Sequence, residues 1–101
     1  MLVIHATFPV EPDSHEAALE LTRELAERSR AEDGTIDYRV TTDVEDENVF
    51  RFFERYEDEA AFDAHAETDH FQEFAAALPD LLAGEPEITR YDVDTASAVE
   101  L

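Results

Sequence analysis

The sequence predicts an α+β domain of β-α-β-β-α-β order: a four-stranded antiparallel sheet with its helices on one face. Three observations predict it. An alternating apolar segment opens the chain, a pair of alternating segments flanks a short acidic turn in the middle, and two stretches of helical periodicity separate these from a last alternating segment. That succession is the ferredoxin-like split pattern.

The elements follow in order. In the first segment Leu2, Ile4, Ala6 and Phe8 share one side, with Val3, His5 and Thr7 on the other, as in a half-buried strand. Pro12 breaks it, and Asp13 with Glu16 three residues later reads as a capping box. The helix so opened carries Ala18, Leu21, Leu25 and Ser29 on one stripe and Glu20, Arg23, Glu24 and Glu27 outside. It runs to about Ala31, and Asp33-Gly34 turns the chain.

TIDYRVTT then places Ile36, Tyr38 and Val40 on one face and Asp37, Arg39 and Thr41 on the other. DVEDEN is a turn. VFRFFERY alternates Phe50, Phe52 and Glu54 against Arg51, Phe53 and Arg55, so the two runs form an antiparallel hairpin. Asp58 caps a second helical region, and Thr68 is a fresh N-cap, so this region breaks near Glu67–Thr68. Pro79 permits one further short turn before Gly84 ends the helical stretch. EITRYDV is the last strand. Residues 1–101 make a single domain, with a core over 1–94 and a tail at 95–101.

Composition bounds the function. A 44% hydrophobic content is ample for a packed interior, which argues against disorder despite the charge. The formal net charge is −20, from 27 acidic and 7 basic residues, the latter all Arg. Such a charge strains a folded chain by self-repulsion, whereas in molar salt the Debye length shrinks to ~3 Å and the strain is screened. Acid spread along the whole chain, with no Lys, points to a very salty cytoplasm, as in halophilic archaea. An acidic surface made to dock a basic partner would show instead as a block or tail. Nucleic-acid binding is excluded by the want of a basic face. With no Cys there is no disulfide, thiol nucleophile or Cys-based metal site. MLVIHATF lacks a basic lead-in and reads as a strand, not a signal peptide, and no segment reaches membrane-spanning length. A soluble, cytoplasmic protein is expected.

The sheet face away from the helices would carry His5, Thr7, Arg51, Phe53 and Arg55, a mixture too apolar for comfortable exposure. A homodimer packed through that face is expected.

Two of the four histidines, His65 and His70, lie five residues apart in AHAETDHFQEF. On a continuous helix, at roughly 100° per residue, that spacing turns them about 140° apart. Zinc ligands on one helix usually sit three or four apart, and no third ligand is evident, so no metal is expected. Histidine as an acid or base fits its near-neutral titration. The plain alternative is that both imidazoles pack, His65 at the edge of the helix–sheet core and His70 in the first turn of the next helix. On the residues alone these readings stay open.

The chain resembles the antibiotic biosynthesis monooxygenase (ABM) family, in its quinol monooxygenase-like branch. The likeness rests on EDGTIDY (32–38), FFERYEDEAAF (52–62) and above all AHAETDHFQEF (64–74), in register with the order of helices and strands. It implies a dimeric ferredoxin-like α/β barrel with a small pocket between each sheet and its helices. Relatives of this kind oxidise quinols or polyphenols with O₂, without flavin or metal. The resemblance makes His65 the candidate base or substrate hydrogen-bonder, with His70 second and Glu54 placed to orient a histidine. Tyr38, Phe52, Phe71 and Phe74 would line the pocket. Ala6 stands on the first strand where haem-degrading relatives use an Asn, and joins that lining. Those relatives also use a Trp and a His where this chain has His65 and Ala75, and the chain has no Trp. Haem degradation and large anthrone-like substrates are therefore disfavoured. The expected function is cofactor-independent oxidation of a small quinol or enolisable aromatic with O₂. The alternatives are a non-catalytic dimeric small-ligand-binding or stress-associated protein, or an isomerase of a small metabolite.

Overall fold

The computed structural model describes all of residues 1–101. Strand β1 spans Leu2–Pro9, helix α1 His15–Arg30, and β2 and β3 are Thr35–Thr42 and Val49–Tyr56. Two short helices follow, α2 over Glu59–Ala66 and α3 over Asp69–Ala77, and β4 closes the fold at Glu87–Asp92. The sheet order is β2-β3-β1-β4 with every neighbouring pair antiparallel. The fold class expected from the sequence is the one found.

Period-2 alternation decides which side each strand residue takes. Ala6 faces Phe52, and Phe52 faces Val40, while one step along His5 pairs Phe53 and Phe53 pairs Arg39 on the opposite face. Leu2, Ile4, Ala6 and Phe8 of β1 and Phe50 and Phe52 of β3 are all buried with Ala18, Leu25 and Ala26 of α1 in one core. No helix is long and apolar enough to cross a membrane.

Three local expectations are corrected. The Asp13–Glu16 capping box does not form, because Pro12–Ser14 makes a one-turn 3₁₀ helix and α1 begins one residue later, at His15. Ser14 occupies the N-cap with no side-chain bond to the helix. Proline's fixed φ suits that tight first turn. Ile36 does not join Tyr38 inside: an irregularity between Thr35 and Asp37 removes it from the alternation, and it is 45% exposed. In α1 the buried stripe runs through Ala18, Thr22, Leu25, Ala26 and Ser29, with Leu21 only half-buried. The break between α2 and α3 and the single turn at Leu78–Asp80 fall where Thr68 and Pro79 place them. Residues 95–101 hold no regular structure and are exposed.

Candidate functional site

Helix α2 is capped by Asp58, whose side chain accepts from Ala61 N at 2.9 Å. It ends at Ala66, and just beyond it Thr68 serves two helices. Its hydroxyl donates to the carbonyl of His65 at 2.7 Å, closing α2, and accepts from Phe71 N at 3.2 Å, opening α3. The chain thereby changes direction between the two histidines. A spacing that would splay them on one continuous helix brings their rings to 6.1 Å between centroids.

What they converge on is Glu32, in the turn after α1. Its Oε2 lies 2.8 Å from His65 Nδ1 and 2.6 Å from His70 Nε2. The turn is held from both sides, by Glu32 N donating to Ser29 O and Thr35 N to Glu32 O. Gly34 rests directly on α2, where a Cβ would stand 2.2 Å from Ala61 Cβ, so glycine is required here for close approach and not for an unusual φ.

His65 is 1% exposed and ringed by aromatics: Tyr38, Tyr56 and Phe71 have centroids 5.1 to 5.5 Å from its own. With Nδ1 against a carboxylate, Nδ1 is the donor, and in the neutral ring this leaves the lone pair on Nε2. Nε2 is buried and has no hydrogen-bond partner within the protein. Buried polar atoms are nearly always partnered, so an orphan marks a place for a ligand or solvent.

The space beside it is a cavity of about 360 Å³ between the sheet and α2–α3. Ala6, Tyr38, Phe52, Phe71, Phe74, Glu54 and His65, all anticipated as site residues, line it, and Ile88 of β4, 63% exposed, marks its rim. Its size suits a single aromatic ring with substituents. A wider groove of about 520 Å³ follows the free edge of β2 beneath α1, lined by Arg23, Glu27, Arg30 and Arg39 among others. It holds neither His65 nor His70.

The walls carry distinct proton chemistry. Burial pushes the Glu54 carboxyl up to about 7, against the hydrogen bond donated by Tyr56 and with help from the charge of Glu32. Tyr56 OH donates to Glu54 Oε1 at 2.5 Å. Burial raises the Tyr38 and Tyr56 hydroxyls far above the ordinary phenol range, with the Glu54 charge adding in both cases. Both stay protonated, each with an O–H to donate. Glu54 therefore hydrogen-bonds a tyrosine and not a histidine, and the orienting task expected of it falls to Glu32.

His70 does not reach the cavity. Its place in the first turn of α3 is the one foreseen, but its ring turns to Glu32. Glu32 was missed because its partners lie 33 and 38 residues away. It also supplies the third donor that was not evident in the sequence. Glu32, His65 and His70 each offer one ligand atom, all within 4.8 Å of one another, and are the residues that could hold a divalent cation.

An α+β sandwich enclosing a histidine-lined cavity defines a class, and comparison with known proteins gives the family. The model for the antibiotic biosynthesis monooxygenase family matches residues 1–77, and the chain belongs to that family. YcnE of Bacillus subtilis, a protein named as a candidate monooxygenase, is 37% identical over 93 residues, covering 92% of this chain and 98% of its own. The uncharacterized Synechocystis protein sll1783 is 38% identical over 92 residues, or 91% of this chain, and the chain spans 63% of that relative's length. The solved structure of a candidate family member from Nitrosomonas europaea superposes with a TM-score of 0.89 at 26% identity, over 94% of this chain and all of its own.

Proposed function

We propose that the protein is a cofactor-independent monooxygenase that oxidises a small quinol or enolisable aromatic with O₂, His65 Nε2 acting as the base. One observation carries the reading. The ring nitrogen of His65 that does not face Glu32 is buried and unpartnered, and His65 is one of the residues lining the apolar cavity. An electron-rich phenol or enol becomes a reductant of O₂ once deprotonated. The substrate then supplies every electron that O₂ takes up, one oxygen atom ending on carbon and the other in water. The protein's part is to remove the proton, hold the ring and exclude solvent.

Each wall residue has a task in that scheme. Glu32 keeps the His65 proton on Nδ1 and stabilises the imidazolium that forms. Tyr38, held protonated, is a donor for the developing phenolate. Phe52, Phe71 and Phe74 supply flat apolar contact, and Ala6 leaves the room. The working unit is a homodimer in the cytoplasm of a salt-adapted cell, packed through the open sheet face. The support for that is the mixture on this face of half-buried Val3, His5 and Thr7 with Phe53, which is 41% exposed.

Oxygen uptake with a panel of hydroquinones in molar KCl tests the activity. His65→Ala should lower turnover by about 10²–10⁴-fold, the contribution of a positioned base. Undiminished turnover in that variant would defeat the reading. Product formation without oxygen uptake would favour isomerisation, and binding without any product would favour a ligand-binding protein.

A further inference from the structure

We propose that Glu32, His65 and His70 form a binding site for a zinc-type divalent cation, and that an ion seated there switches off His65 as the cavity base. The switch rests on the role given to His65 above, whereas the site itself stands on geometry.

Three donors of a suitable kind converge from three separate elements. Glu32 comes from the turn after α1, His65 from the last turn of α2 and His70 from the first turn of α3. Their ligand atoms, Oε2, Nδ1 and Nε2, all lie within 4.8 Å of one another. Tetrahedral zinc, with bonds of about 2.0–2.2 Å, holds its ligand atoms roughly 3.3 Å apart. The contacts that Glu32 makes, 2.8 Å to His65 and 2.6 Å to His70, are somewhat shorter than that. A small outward swing of this one carboxylate opens room for an ion between the three. Two imidazoles and a carboxylate suit zinc, cobalt or nickel, and not magnesium or calcium, which take oxygen ligands.

The approach to these donors is acidic. His70 lines a shallow depression between α1 and α3 together with Glu24 and Glu73. Glu24 is paired with Arg28 at 2.9 Å, which leaves Glu73, three residues beyond His70 on α3, to draw a cation inward. Glu73 or water completes the fourth position. Exposure falls from 16% at His70 and Glu32 to 1% at His65, so the ion is shielded on its inner side and reachable from its outer side.

Such an ion does not enter the cavity. Neither Glu32 nor His70 lines that space, and the His65 ring stands between. The oxidation proposed above therefore needs no metal, and the ion acts only through this ring. Zinc on Nδ1 takes the lone pair there, and the ring proton moves to Nε2. Nε2 is the buried nitrogen with no partner in the protein. It then donates into the cavity where it had accepted. A phenol loses its base, and a carbonyl oxygen, such as that of a quinone, gains a donor.

Cobalt replaces zinc in sites of this kind and reports four-coordination by its visible absorption. Full-length protein, stripped with a chelator and held in molar KCl, should bind Co²⁺ saturably with that spectrum. Zn²⁺ should displace the cobalt, and Mg²⁺ should not. His70→Gln should weaken binding by more than about a hundredfold, the upper end of the loss seen when a residue supporting a metal ligand is removed. Glu32→Gln should act in the same sense. Nitrogen-15 NMR of the zinc-loaded native protein should show His65 with its proton on Nε2. No saturable Co²⁺ binding, or binding that survives in both variants, would overturn the site. A zinc complex in which His65 keeps its proton on Nδ1 would overturn the switch. None of these readouts involves turnover, so a failure of quinol oxidation is told apart from a failure of the ion site.

Discussion

The helix-covered side of the sheet has two halves built on different plans. Under α1, inward of the groove along the free edge of β2, the side chains close up: Ala18, Thr22, Phe50, Phe52 and their neighbours leave a void of about 10 Å³, too small to hold a water molecule in comfort. Under α2 and α3 the same sheet leaves about 360 Å³. The difference lies in the helices. Helix α1 is 16 residues long and lays an unbroken stripe of small and branched side chains on β2 and β3. Helices α2 and α3 have 8 and 9 residues, meet at Thr68, and touch the sheet through rings set on edge around a gap. A continuous helix makes a core and a broken one makes a room. The break also aims both histidines at one carboxylate, so the feature that costs packing creates the site.

The largest test of this contrast concerns the charge in the room. Glu54 has its carboxyl raised from 4.5 to about 7, so between those values the folded chain holds a proton that the unfolded chain has released. Stability contributed at low pH is therefore lost as pH rises through that window, by up to about 3 kcal/mol. Glu54→Gln keeps an acceptor for Tyr56 and removes the titration. Thermal melts from pH 4 to 8 should show the variant gaining on the native protein as pH rises. Parallel curves would show that the cavity wall is wetter than its lining implies.

Packing supplies the next test. Ala18 and Ala6 are both 2% exposed, one on the filled half and one on the cavity wall. Ala18→Leu should destabilise by about 1–3 kcal/mol through overpacking, whereas Ala6→Leu should be neutral or stabilise by about 1 kcal/mol by filling space. Denaturant unfolding measures both. Equal costs at the two sites would mean that the cavity collapses in solution.

The smallest effect per residue, though spread over the whole surface, is that of salt. Melting temperature should climb from dilute to molar KCl as 27 acidic groups are screened. Sedimentation under molar salt should report a dimer that Phe53→Glu splits. A melting temperature flat across that range would refute the salt adaptation.

Much of the fold was legible because its determinants are local. Alternation in β1 and β3, the Asp58 and Thr68 caps and the stop at Pro79 each act within a few residues. The Asp13–Glu16 box failed because Pro12 set a tighter turn one step earlier, and Ile36 left its expected face at an irregularity that no pattern announces. The site divides in the same way. Its lining follows from strand faces and the AHAETDHFQEF segment. The partnership of Glu32 with two histidines is tertiary, set by Gly34 lying flat on Ala61, and only coordinates reveal it.

The central claim is that the free nitrogen of His65 faces a space a flat phenol can enter. Titrating nitrogen-15-labelled protein with small quinols, in molar KCl and without oxygen, tests it at the atom concerned. The account predicts a saturable shift at His65 Nε2 that disappears in Ala6→Phe, where the ring of the new side chain occupies the cavity. No shift with any quinol, or a shift that survives in Ala6→Phe, would contradict it.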